Sequence, residues 1–101
     1  MSEPKRILTL RLKSKWWTRI KLGDKTEELR LAKDYWRKRL VDREYDEIHI
    51  WLGYAKKTDL GRLIVRKWNG CFLDEKKHEE FGSEPVEVFV IDVSQEVNHE
   101  K

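Results

Sequence analysis

The sequence predicts a small α+β fold in which five or six strands curve into a barrel or strongly bent sheet, flanked by two short helices. Three observations predict it. Period-two segments recur between Ile7 and Val93, and two stretches of helical spacing interrupt them. The segment from Val86 to Val93 is apolar on both faces, as a central strand requires. A chain of 101 residues, 39% hydrophobic and 41% charged, holds one domain with little core to spare. Its five Trp, three Tyr and three Phe supply enough apolar area to argue against disorder.

Each element has a local reason. Ile7 to Leu12 alternates, with Leu8, Leu10 and Leu12 inward, and reads as the first strand. Ser14 is a suitable N-cap for a helix that runs through Leu22 and stops at Gly23. Within it Trp16 and Ile20 share a face and Trp17 is displaced by about 100°, so one Trp is expected in the core and the other partly outside. Thr26 to Leu31 alternates again, with Thr26, Glu28 and Arg30 on one side. Residues 33–43 read as a second helix with Trp36 and Leu40 as its buried stripe. Glu47 to Leu52 puts Ile48, Ile50 and Leu52 inward, and His49 and Trp51 on the other face.

A polar loop from Gly53-Tyr54 to Asp59 follows, then a strand from Gly61 or Arg62 to Trp68. Asn69-Gly70 is a tight-turn pair that either closes a hairpin or bends a strand resuming at Cys71. Asp74 to Glu80 reads as a charged connector before the last strand. Residues 1–6 are expected to be a flexible N-terminus, 7–93 the domain, and 94–101 a frayed tail.

Composition excludes several classes. No apolar run approaches the ~20 residues needed to span a bilayer. The start Met1-Ser2-Glu3-Pro4-Lys5-Arg6 lacks a secretory apolar segment, so no membrane partner and a cytoplasmic location are expected. The lone Cys71 excludes an internal disulfide and suits a reducing compartment. His49, His78, His99 and Cys71 show no metal-ligand spacing, so no metal is expected, and no cofactor is implied. Charge is lopsided: residues 1–70 carry 19 Lys/Arg against 10 Asp/Glu, and residues 71–101 carry 3 against 9. Such an imbalance is a footprint of phosphate-binding surfaces, unless the two halves mix in the fold.

The sharpest local feature is Gly23-Asp24-Lys25-Thr26-Glu27-Glu28-Leu29-Arg30. Strand geometry sets Glu28 and Arg30 side by side, roughly 7 Å apart at Cα. Lys25 stands on the preceding turn, where it could clamp a phosphate or act as general acid/base with Glu28 as partner. The plain alternative is a structural ion pair. Trp16, Trp17, Tyr35, Trp36, Trp51 and Tyr54 are the aromatic candidates, with Trp51 and Tyr54 better placed to stack on a base. Lys13, Lys15, Arg19, Arg37, Lys38 and Arg39 form the basic surface. Asp74-Glu75 and Glu79-Glu80 read as a solvated acidic face, and Glu84 could complement Lys25. Cys71 reads as a small buried hydrophobe and His49 as a half-exposed strand residue.

Four motifs in order carry a family resemblance. They are Lys13-Ser14-Lys15-Trp16, the set Gly23, Lys25, Glu28 and Arg30, and the helix residues Tyr35, Trp36, Arg39 and Leu40. The fourth is Gly53-Tyr54 followed by Gly82-Ser83-Glu84-Pro85-Val86-Glu87-Val88-Phe89-Val90-Ile91. Over residues 7–93 the chain resembles the ASCH family, small domains of the PUA-like fold, and in particular a compact, often phage-encoded branch. It departs from that branch at Trp51-Leu52-Gly53-Tyr54, where Arg-Asn-Gly-Tyr is frequent. It departs from the amidohydrolases of the family at Glu28, where they carry a nucleophilic Thr.

The resemblance implies a PUA-like β-barrel that binds RNA, or a nucleotide or modified base. The ligand would sit in a cleft of Lys15, Trp16, Lys25, Glu28, Arg30 and Tyr54, joined by Lys13, Tyr35, Arg39 and Trp51. Two alternatives stand beside it. One is a metal-independent hydrolase on RNA or a modified nucleoside, with Lys25 and Glu28 catalytic. The other is a protein-interaction adaptor.

Overall fold

Burying Leu8, Leu10 and Leu12 from alternate positions makes Ile7–Leu12 the first strand, β1. The computed structural model describes residues 4–97, so residues 1–3 and 98–101 of the expected termini lie outside the described residues. After β1 come α1 (Ser14–Leu22), β2 (Glu27–Leu31), α2 (Asp34–Leu40), β3 (Glu47–Leu52), β4 (Leu63–Lys67), β5 (Cys71–Lys76) and β6 (Val86–Asp92). Short 3-10 turns occupy Leu60–Arg62 and Glu79–Phe81.

The six strands form two three-stranded sheets, in the orders β1-β3-β4 and β2-β6-β5. In the first, β1 and β3 run parallel with Leu8 beside Ile48 and Leu10 beside Ile50, and β4 pairs antiparallel on the far side of β3. In the second, β6 lies between β2 and β5, antiparallel to both. The two-faced apolar pattern of β6 is explained by that central place: Val88, Phe89, Val90 and Ile91 are all buried. Asn69-Gly70 does not close a hairpin; with Gly70 at φ 85° it passes the chain from the first sheet to the second.

Hydrogen bonding does not run round into a closed barrel among the described residues. The Arg6 and Leu12 carbonyls accept from the Glu47 and Gly53 N–H groups, so the even positions of β1 turn toward β3. Ile7, Thr9 and Arg11 therefore turn their backbone groups to the open side. β2 faces that side without pairing to it. Among the described residues the Arg30 guanidinium alone hydrogen-bonds across the gap, donating to the Arg11 carbonyl at 3.2 Å.

Several local expectations are corrected. Lys13, not Ser14, is the N-cap of α1, and no side-chain cap bond forms. Gly23 ends α1 in the left-handed region at φ 85°, donating back to Ile20. Trp16 and Trp17 are both buried. A 100° displacement still buries both because α1 meets two neighbours: Trp17 packs on β3, donating to the Ile50 carbonyl at 3.0 Å, while Trp16 lies under the 79–81 turn. The second helix spans only Asp34–Leu40, since Val41 is extended and Asp42 adopts φ 56°. Asp74 to Lys76 belong to β5, not to a connector. Residues 94–97 lie along β4: Lys67 donates to the Gln95 carbonyl at 2.7 Å, and Arg66 and Glu96 form an isolated bridge. Among the described residues no helix is long and apolar enough to cross a membrane.

Candidate nucleotide cleft

The gap between β1 and β2 is the mouth of a cleft of about 670 Å³. β1 supplies Thr9 and Arg11, the start of α1 supplies Lys13 and Trp16, and β2 supplies Glu28, Leu29 and Arg30. Tyr35, Trp36 and Arg39 come from α2, while His78, Glu80 and Phe81 close it from the segment between β5 and β6. A hollow of that size fits a nucleoside or a small oligonucleotide fragment, since ligand pockets run to ~300–1,000 Å³.

Its floor is a buried ion triad. Glu28 is only 4% exposed. Lys25 Nζ lies 3.4 Å from Glu28 Oε1, and the Arg30 guanidinium pairs with Glu28 Oε2. The turn at Gly23 places Lys25 before the strand, and period-two alternation puts Glu28 and Arg30 on one side of it. Two cations meet one carboxylate, so the floor keeps a net positive charge out of bulk water. Both carboxylate oxygens already face a cation, so Glu28 acts first by fixing Lys25 and Arg30.

Cations also line the rings. Lys25 Nζ stands 5.3 Å and Lys15 Nζ 4.6 Å from the Trp16 ring centroid. The Arg30 guanidinium is 5.2 Å from Trp36, and that of Arg39 is 3.6 Å over Tyr35. Guanidinium planes held this way can themselves stack on a base. The His78 ring meets Trp16 at a tilt of 54° with centroids 5.2 Å apart, and meets Phe81 at 5.5 Å. The Trp16 indole N–H is buried without a hydrogen-bond partner.

Of the residues expected at the site, Lys13, Trp16, Lys25, Glu28, Arg30, Tyr35 and Arg39 line one cleft. Three others do not. Trp51 is 3% exposed, under the Arg11 guanidinium at 6.0 Å, and has no free face for stacking. Tyr54 is 97% exposed on a loop outside the cleft, between the Gly53 and Ala55 carbonyls that Arg11 holds at 3.1 Å each. Lys15 lies outside the lining, paired with Glu79 at 3.1 Å. Glu84 is exposed and outside the lining, and the carboxylate that meets Lys25 is Glu28, while Glu80 pairs with Lys13.

The Glu79-Glu80 pair is solvent-exposed, and each carboxylate is also paired with a lysine. Lys13 Nζ reaches Glu80 Oε1 at 3.2 Å. Its hydrogen bond holds the Glu80 carboxyl below the ordinary carboxylate range, against a smaller opposing effect of desolvation; the Trp16 N–H adds to it from nearby without closing a hydrogen bond of good geometry. Tyr45, His78 and Phe81 line the cleft without having been singled out by sequence. The one signal available for the last two was their closeness to Gly82, which adopts φ 103°.

A second hollow of about 410 Å³ lies beside Cys71, Asn69 and Asp92. Burial pushes the Asp92 carboxyl up, but hydrogen bonds from Ser94 and Asn69 outweigh it and hold it low. Burial, with the charge of Glu44, pushes the Cys71 thiol up. Cys71 is therefore protonated at neutral pH and a poor nucleophile. Iodoacetamide at pH 8 is expected to alkylate it about tenfold more slowly than in the denatured chain, and equal rates would show that the thiol is freely accessible and ionised.

Comparisons with family models, curated proteins and solved structures give no match to this chain.

Proposed function

We propose that this domain is a PUA-like module of the ASCH kind that binds RNA, or a nucleotide or modified base, in the cleft between β1 and β2. The observation that carries this reading is the Lys25–Glu28–Arg30 floor, which presents surplus positive charge beneath aromatic walls. A phosphate is held by Lys25 and Arg30, and a base lies against the ring and guanidinium surfaces of Trp36, Tyr35 and Arg39. In this reading the open backbone groups of Thr9 on β1 meet the polar edge of that base.

The test is a tryptophan-fluorescence titration with a short single-stranded RNA and with a nucleoside monophosphate, at low and moderate salt. Quenching that weakens with salt is expected, because phosphate contacts release counterions. Lys25→Ala is expected to weaken binding by about tenfold or more, the loss of one charge-assisted contact. No response from either ligand at low salt would overturn the reading. Ligand turnover that disappears in Lys25→Ala would move the assignment to a hydrolase.

A further inference from the structure

The segment 77–82 carries two adjacent carboxylates onto two cations at the start of α1. Glu80 meets Lys13 at 3.2 Å and Glu79 meets Lys15 at 3.1 Å. These pairs are solvent-facing, with side-chain exposures of 75% and 34% in the first and 50% and 64% in the second. Exposed pairs of this kind are weak and screened by salt. The turn is otherwise held by its own hydrogen bonds, from Glu80 N–H to His78 Nδ1 at 3.0 Å and from Phe81 N–H to the His78 carbonyl at 2.9 Å. Gly82, at φ 103°, supplies a joint that other residues adopt only with strain. The same segment sets His78 at a tilt against Trp16 and lines the cleft with Glu80 and Phe81. A carboxylate on a lysine occupies the position and charge of a phosphate oxygen.

Resting on the binding reading above, we propose that Lys13 and Lys15 form a second anion site, covered in the free protein by Glu79 and Glu80 as internal phosphate mimics. The floor cations suffice for one phosphate. The outer pair requires phosphates further along a strand, so the ligand class is a single-stranded oligonucleotide and not a mononucleotide. Its flanking phosphates displace the carboxylates. As the segment lifts, His78 leaves the edge of Trp16, and phosphates drawing Lys15 away expose more of that ring to a neighbouring base.

The experiment compares wild type, Glu79→Gln/Glu80→Gln and a charge-matched control, Glu75→Gln/Glu84→Gln, whose carboxylates are unpaired among the described residues. The probes are an eight-nucleotide single-stranded RNA and adenosine monophosphate. Without the internal carboxylates, RNA affinity is expected to rise about tenfold at low salt. The slope of log K against log salt should steepen by about 1.4, two phosphates at ~0.7 each. Monophosphate affinity should rise only about threefold, from repulsion lost at the Glu80 wall of the cleft, and the control should change by less than about twofold. Hydrogen exchange without ligand should quicken at the Glu80 and Phe81 amides of the double variant.

Wild-type RNA binding that the double variant leaves unchanged overturns the proposal alone, as does an equal gain in the control. An equal gain for the monophosphate overturns the oligonucleotide assignment. Failure of every protein to bind either probe removes the cleft reading itself, and the proposal with it.

Discussion

Glu28→Ala is expected to lower folding stability by about 3–5 kcal/mol, the loss typical of removing one partner from a buried ion cluster. The side chains of Glu28, Lys25 and Arg30 are 6%, 14% and 18% exposed, so solvent cannot replace the missing carboxylate. Two cations would be left facing each other across the floor of the cleft. For a domain of this size the change corresponds to a fall in Tm of at least ~12 °C, readable by thermal unfolding followed by circular dichroism. Glu28→Gln keeps the shape and removes the charge, and it should lose most of the same stability. A fall of only ~1 kcal/mol in both would mean that water reaches the floor and that the triad is a surface network. The converse variant is as telling. Replacing all three residues together by apolar ones of similar volume is expected to be near neutral for folding while abolishing anion binding, because desolvating ions offsets most of what their pairing contributes.

Trp17→Ala is expected to lose about 3–5 kcal/mol as well, by a different route. The indole fills the space between α1 and β3, and its N–H answers the Ile50 carbonyl at 3.0 Å. Truncation leaves both a cavity and an unpaired carbonyl. Trp17→Phe keeps most of the volume and should lose about 1–2 kcal/mol, mainly for the broken hydrogen bond. The neighbouring Trp16 is the control that separates the two effects: its N–H bonds to nothing, so Trp16→Phe breaks no hydrogen bond. Urea unfolding of the three variants distinguishes them. Equal losses for Trp16→Phe and Trp17→Phe would show that ring size, and not the bond to Ile50, sets the difference.

The elements were legible in the chain wherever a short-range signal existed. Alternating leucines mark β1, Gly23 marks the end of α1, and the two-faced run from Val86 marks the centre of a sheet. The cleft floor was legible for the same reason, since Lys25, Glu28 and Arg30 lie within six positions: strand periodicity sets the side of Glu28 and Arg30, and the turn at Gly23 places Lys25 before them. What depends on distant neighbours was not. Trp51 sits on the face opposite Ile48 and Ile50, and its burial depends on distant neighbours, among them Arg11, brought alongside by parallel pairing with β1. Lys15 and Glu79 are 64 positions apart, and no local pattern brings that pair together. The division into two sheets, where a barrel or one strongly bent sheet was expected, has the same origin: strand periodicity gives faces, but not which edge meets which.

That interleaving has a kinetic consequence. β1 must wait for β3, and β2 finds its partner only in β6, so each sheet draws on segments from both early and late in the chain. Only β3–β4 and β5–β6 join neighbours in sequence. Closing the long loops first is entropically uphill, which places such a domain among slow folders, with time constants on the order of milliseconds to seconds. On the ribosome, β2 emerges with its backbone edge and Leu29 unsatisfied until β6 has been synthesised. The floor of the cleft, carried on β2, therefore gains its supporting strand only once β6 has been made.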